Sequence, residues 1–406
     1  MSYQDYNRRG RRPPSRRRPP SRRRSRNNRI RISRRTRNRA IIIAGGLLIF
    51  TLIIVLISSV FSCICSPGES AAQIDTATKG TAAAKKEVAK QDTISFKEPD
   101  IPMDETIGPG VTVSNQLYVW NQKAFELFYG SEKRAKAYAS LINNAKKALG
   151  SKVNVYTMVI PNHTEMGLPG QYKNTEDGII TESQADYIKK VYVNLNDNVG
   201  YINAYNALSN HCNEYIYFDS DHHWTGLGAY YAYKAFASLT KQPAVKLTQL
   251  EENTIEGFTG SFTNMTSMSL NVDTVHYWDF PYKISDTITY ESGETEKFDS
   301  CYYKAESSGS TSYGVFLFGD NPIEVIKSNS TQAKKKIAII HESYGNALVP
   351  YFTYNYKEVY SIDFRTWKGS LKQLCKEKGI DDVLFVNGVM SSATPVQVNS
   401  IKGIIN

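Results

Sequence analysis

Cysteine and histidine are scarce in this chain. Five cysteines, Cys63, Cys65, Cys212, Cys301 and Cys375, are spread over 406 residues without a pair of CxxC motifs. That excludes a structural zinc ribbon and a disulfide-framed small domain, and the spacing does not say which of them pair. Acidic residues are all but missing from the start: residues 1–39 hold 17 Arg against one Asp, in repeated "RPPSRR"-like blocks with almost no apolar side chains. Such a segment cannot bury enough surface to fold and reads as a disordered basic tail. Its +16 leaves −6 of the total +10 for everything from residue 40 onward. The folded part therefore gives no support to nucleic-acid binding, whereas a polybasic tail beside a membrane span reads as a membrane-surface or cytoplasmic contact, or as a topology determinant with no specific partner.

Charge is then absent altogether from residues 40–65, "AIIIAGGLLIFTLIIVLISSVFSCIC". A run of that length suffices to cross a bilayer as a helix, which needs about 20 apolar residues. Arginine packed before it and the non-basic "SPGESAAQID" after it predict a cytoplasmic N-terminus and an extracellular C-terminal part, held by a single-pass anchor. A cleaved signal peptide is the rival reading, but the basic region is long for one and no clear small-residue cleavage site follows. "VFSC" ending at Cys63 loosely matches a lipidation motif, with Phe61 a poor fit. Residues 66–112, rich in Ala, Thr, Lys, Glu, Gly and Pro, read as an extracytoplasmic linker.

From residue 113 to 406 aromatic and aliphatic residues become frequent, as expected of one domain. "SEKRAKAYASLINNAKKALG" reads as a helix capped by Ser131 and ended by Gly150. "KVNVYTMVIPN" reads as a buried strand, "ESQADYIKKVYVNL" as a helix, "EYIYFD" as a short strand, and "TGLGAYYAYKAFASL" as a helix. Residues 245–330 suggest short strands joined by polar turns, an insertion or a β-rich edge. Strand–helix alternation resumes at "KKKIAIIHESYGNAL" and "DDVLFVNG". This order predicts an α/β fold with a doubly wound parallel sheet.

Two segments carry chemistry. "DSDHHW" puts Asp219, Asp221, His222 and His223 between a strand end and a helix start, at the edge where open α/β sheets place their sites. Ser343, in "HESYG", follows a strand and precedes a helix, where backbone N–H groups and the helix dipole can stabilise an oxyanion. A serine there is also a common helix cap. A serine hydroxyl becomes a nucleophile when an imidazole takes its proton and a carboxylate fixes the imidazole tautomer. Asp221, His223 and Ser343 supply these groups. A metal site is not expected, because adjacent residues cannot turn all their ligand atoms to one ion and no distant motif completes the set. His222 is a structural or substrate-facing neighbour, Arg365 a surface salt bridge or a substrate contact, and Asn162, Gly260 and Ser261 are candidates for the oxyanion site.

"SDHHWTGLGAYYAY" followed by "ESYGNALVPYF" and "VYSIDFR" resembles the DHHW protein family of bacterial cell envelopes, over residues 113–406. That family is similar to the alginate O-acetylation proteins of the AlgX and AlgJ type. The resemblance implies an SGNH-hydrolase-like, flavodoxin-like domain with the motif order permuted. It implies Ser343 as nucleophile, His223 as general base and Asp221 as its orienting carboxylate; the Asp-x-x-His form of ordinary SGNH proteins would instead pair Asp219 with His222. "HES" departs from the "GDS" of many SGNH proteins, and His341 stands where glycine usually leaves space. The implied activity is that of an O-acetyltransferase or acetylesterase acting on a cell-envelope polysaccharide without a bound cofactor. A membrane-bound O-acyltransferase is the implied acetyl donor. The alternative is a non-catalytic glycan-binding or assembly protein on the same fold.

Overall fold

The apolar runs "NVYTMVI", "KKIAIIH" and "DVLFVNG" become three of the strands of the central sheet, and the last is buried at every position. Strands covered on both faces read as such near-continuous apolar stretches rather than as alternation. A computed structural model describes residues 93–406 other than 103–106, 115, 176–178 and 305–307. The basic tail, the apolar run at 40–65, Cys63, Cys65 and most of the proposed linker lie outside the described residues. Among the described residues no helix is long and apolar enough to cross a membrane, and Cys212, Cys301 and Cys375 form no disulfide.

The strands are β1 (Val111–Ser114), β2 (Leu117–Trp120), β3 (Lys123–Glu126), β4 (Asn154–Ile160), β5 (Val199–Ile202), β6 (Glu251–Phe258), β7 (Asp273–Asp279), β8 (Ile284–Thr289), β9 (Thr295–Phe298), β10 (Ile323–Ser328), β11 (Lys335–His341), β12 (Tyr356–Asp363) and β13 (Asp382–Gly388). The α-helices are α1 (Glu132–Leu149), α2 (His163–Gly167), α3 (Gln184–Val193), α4 (Ala204–Ser209), α5 (Gly226–Leu239), α6 (Ser261–Thr266), α7 (Tyr344–Phe352), α8 (Leu371–Lys378), α9 (Val389–Ser392) and α10 (Pro395–Ile405). Ser131 caps α1 by accepting the Arg134 amide, and Gly150 ends that helix at φ 82°.

Eight strands form one sheet in the order β5-β4-β13-β11-β12-β10-β8-β9. The first five are parallel, and β10, β8 and β9 add on antiparallel. The sheet is thus mixed rather than wholly parallel, because part of the β-rich segment 245–330 forms its edge. The rest of the insertion makes the β6–β7 ribbon, and β1–β3 form a separate three-stranded sheet. Helices cover both faces. Tyr138 of α1 reaches Thr157 of β4 at 3.2 Å, while Phe236 of α5 packs on the neighbouring Tyr156, and successive strand residues point to opposite faces.

Counted from β11, the five parallel strands read 2-1-3-4-5, the flavodoxin-like order, with β4 and β5 as the fourth and fifth strands. The chain is therefore a circular permutation of that order. Its topological switch point lies between β11 and β13, and the crevice beyond their carboxyl ends is where such sheets bind ligands. Order also reaches back ahead of residue 113: Ile94 joins the main core, and the Lys97 amide donates to Asn206 Oδ1 at 2.8 Å. "EYIYFD" is not a strand. Its only pairing is an isolated bridge from Tyr217 to Trp224, because the segment folds back on itself.

Candidate active site

At the switch point β11 ends at His341 and the chain turns through Glu342 and Ser343 into α7. Ser343 occupies the cap position, but its side chain makes no capping bond. Glu342 takes that role: its Oε2 accepts the Tyr344 amide at 2.9 Å and its Oε1 accepts the Gly388 amide at 2.7 Å. One carboxylate thereby caps α7 and ties the turn to the end of β13. Burial pushes the Glu342 carboxyl up, against these two amides. The His341 ring lies under Gly345, where an added Cβ would sit 2.2 Å from it, and its Nε2 meets Ser361 Oγ at 2.6 Å.

The Ser343 hydroxyl, half-buried, turns instead to His223, with Oγ 2.7 Å from Nε2. His223 Nδ1 is 2.6 Å from Asp221 Oδ1, which also accepts the His223 amide at 3.0 Å. Asp221 Oδ2 accepts the Ser261 amide at 2.8 Å. A carboxylate at Nδ1 fixes the proton there and leaves Nε2 to accept from the serine. Burial opposes the charge on Asp221. The neighbouring imidazoles of His222 and His223, with hydrogen bonds from the His223 ring and the Ser261 amide, outweigh it and hold the carboxyl well below the usual range.

Three supports shape the "DSDHHW" loop. Thr225 caps α5. Trp224 is fully buried and donates its indole N–H to the Tyr344 carbonyl at 2.9 Å, joining the loop to the first turn of α7. Asp273, from β7 of the insertion, accepts the amides of Asp219 and Ser220 at 3.0 and 2.8 Å and hydroxyls from Ser220 and Tyr215, each at 2.5 Å. Nothing in the local sequence signals Asp273, because it lies more than 50 residues from the loop it organises. Glu342, by contrast, stands in view beside Ser343.

The alternative pairing is not formed. Asp219 engages Asn271 Nδ2 at 2.9 Å and Lys123 at 3.1 Å, whereas His222 Nδ1 lies 2.9 Å from Ser261 Oγ. Burial and the charge of His223 push the His222 imidazole down. The accessory candidates are engaged within the protein, Arg365 in the salt bridges that the sequence also allowed. Asn162 caps α2, its Oδ1 accepting from Thr164 and Gln184. The Ser261 amide is bound to Asp221 and the Gly260 amide to Ser220 Oγ, so this pair supports the carboxylate rather than an oxyanion. Arg365 grips Asp363 through Nε and Nη2 and meets Asp320 at 2.8 Å. Asp221, His222 and His223 do offer ligand atoms within 4.8 Å of one another. Those of the Asp221–His223 pair, however, are committed to each other, to the Ser261 amide and to Ser343.

The chain is similar to one described family and to several solved structures. A family model described as DHHW protein matches residues 62–362. A crystal structure of a DHHW family protein from Eubacterium siraeum is 31% identical, covering 74% of this chain and 98% of that one, with a TM-score of 0.66. The structure of Bacillus cereus PatB1 with a sulfonyl adduct is 16% identical over 73% of this chain and 100% of that one, with a TM-score of 0.60. The O-acetyltransferase domain of Pseudomonas putida AlgJ is 13% identical over 73% and 98% of the two chains, with a TM-score of 0.39. No curated protein matches.

Proposed function

From the premise that this chain belongs to the DHHW protein family, we propose that it is an O-acetyltransferase or acetylesterase acting on a cell-envelope polysaccharide. The supporting observation is the run of contacts Ser343 Oγ–His223 Nε2–Asp221 at 2.7 and 2.6 Å. On this reading His223 removes the Ser343 proton as Oγ attacks an acetyl carbonyl, and then returns it to the departing oxygen, leaving acetyl-serine. A sugar hydroxyl, or water, next gives its proton to His223 and attacks the acetyl carbon. The C–O bond to Ser343 breaks and the hydroxyl is restored. Asp221 keeps the imidazole in the tautomer both steps need and stabilises the imidazolium between them.

The proposal extends to place. The apolar run at 40–65 anchors the chain, the C-terminal domain lies outside the membrane, and a membrane-bound O-acyltransferase hands over the acetyl group, since no acetyl-CoA is available there. Bacillus cereus PatB1, whose fold this chain shares, carries a sulfonyl adduct in its solved structure, and Ser343 is expected to take the same class of reagent. The test is acetyl release from an aryl acetate by the full chain, with and without an oligosaccharide acceptor. Activity lost in Ser343→Ala supports acyl transfer, and capture of the acetyl group by the oligosaccharide favours transferase over esterase. Equal behaviour of wild type and variant favours a glycan-binding protein on this fold.

A further inference from the structure

Tyr313 belongs to the insertion between β9 and β10, yet it lies flat on the His223 imidazole. The ring centroids are 4.0 Å apart and the planes 8° from parallel. The same side chain donates its hydroxyl to the Ser343 carbonyl at 2.9 Å. It thus touches both partners of the 2.7 Å bond between His223 and Ser343. An imidazole tethered at Nδ1 by a carboxylate can still tilt, which swings Nε2 off its target. A parallel ring against its face blocks that motion, and the bond to the Ser343 carbonyl fixes the backbone the ring must face.

The segment that carries Tyr313 is itself pinned. A short 3-10 helix, Gly309–Val315, is capped reciprocally by Ser308 and Thr311. The Tyr303 amide donates to the Val315 carbonyl at 2.7 Å, and the Leu317 amide to the Cys301 carbonyl at 3.0 Å. Three successive residues, Leu317, Phe318 and Gly319, are left-handed at φ 52°, 56° and 86°. For Leu and Phe that conformation is strained and persists only where the surroundings over-determine it. Beyond it Asp320 accepts from Asn346 Nδ2 at 2.9 Å, in the first turn of α7. The segment from Tyr313 to Asp320 therefore holds the start of the serine's helix at two points, the Ser343 carbonyl and Asn346.

We propose that Tyr313 is a positioning residue for the Ser343–His223 pair, supplied by the β-rich insertion; this rests on the acyl-transfer reading above. The experiment uses the full chain in detergent, with Tyr313→Phe and Tyr313→Leu beside wild type and Ser343→Ala. Tyr313→Phe keeps the stack and loses one hydrogen bond, so labelling by an aryl sulfonyl fluoride slows by about 3-fold. Tyr313→Leu loses both contacts and slows it by about 30-fold, with KM for an aryl acetate unchanged. Nitrogen NMR of histidine-labelled protein reads the position directly: the His223 Nε2 resonance shifts in Tyr313→Leu and returns towards wild type in Tyr313→Phe. Labelling at the wild-type rate, or an unmoved Nε2 resonance in Tyr313→Leu, would overturn the assignment. If Ser343→Ala labels like wild type the acyl-transfer reading fails instead, and the NMR comparison still decides the role of Tyr313.

Discussion

At the residue scale the site is a division of labour between two neighbouring side chains. Glu342 caps α7, and that frees the Ser343 hydroxyl from the role a serine at this position usually plays. Asp221 is likewise specialised: with one oxygen on His223 and the other on an amide, it sets the tautomer. Asp221→Asn keeps the shape and can present an N–H to Nδ1, which favours the wrong tautomer. We expect acetyl release from an aryl acetate to fall by about 10³-fold or more, with little change in melting temperature. A fall in activity that merely tracks a fall in stability would show that Asp221 is structural. The paired Asp, His and Ser were legible in the sequence because each sits in a short, distinctive segment at a strand–helix junction. Asp273 and Tyr313 were not, since they come from the insertion and only the tertiary fold brings them in.

At the element scale the loop that carries Asp221 is wedged against the turn before α6. A Cβ on Gly260 would lie 2.2 Å from Asp221 Cβ and 2.6 Å from the Ser220 carbonyl oxygen, which cannot swing aside as a side chain can. Gly260→Ala should therefore displace the carboxylate and lower activity by about 10²-fold while the sheet and its circular dichroism are retained. Wild-type activity in that variant would mean the loop has slack. The amides of Gly260 and Ser261 hold Ser220 and Asp221, so this turn supports the carboxylate rather than an oxyanion. The "EYIYFD" segment misled for a related cause. Its aromatic residues suit a strand, but the Asp219 and Ser220 amides at its end go to the Asp273 carboxylate instead of a ladder.

At the scale of the whole molecule, the two segments that meet at Ser343 are brought together by a permuted sheet. Its buried strands were legible as apolar runs, and residues 245–330 as an insertion or a β-rich edge; which of those strands pair onto the sheet was not, because edge pairing is set by partners far along the chain. Beneath the "DSDHHW" loop His163 is buried between Phe125 and Tyr217, and burial pushes its imidazole down to about 4. Unfolded, it would titrate near 6.5, so between those values the unfolded chain binds the extra proton. The stability that this difference contributes is complete above pH 6.5 and is lost as pH falls to about 4, some 3 kcal/mol in all. Urea unfolding at pH 7 and pH 4.5 should show a smaller acid loss in His163→Phe than in wild type, although His222 and His341, also lowered by burial, keep some slope. Equal losses would place the acid sensitivity elsewhere.

Reaction with a sulfonyl fluoride, read by intact mass and peptide mapping, tests most directly whether His223 activates the Ser343 hydroxyl. The expected result is a single adduct on Ser343 in the full chain, absent from Ser343→Ala and formed far more slowly in His223→Ala. A wild-type chain that takes up no reagent, or one that is modified equally after Ser343→Ala, would contradict the proposal that this hydroxyl is an activated nucleophile.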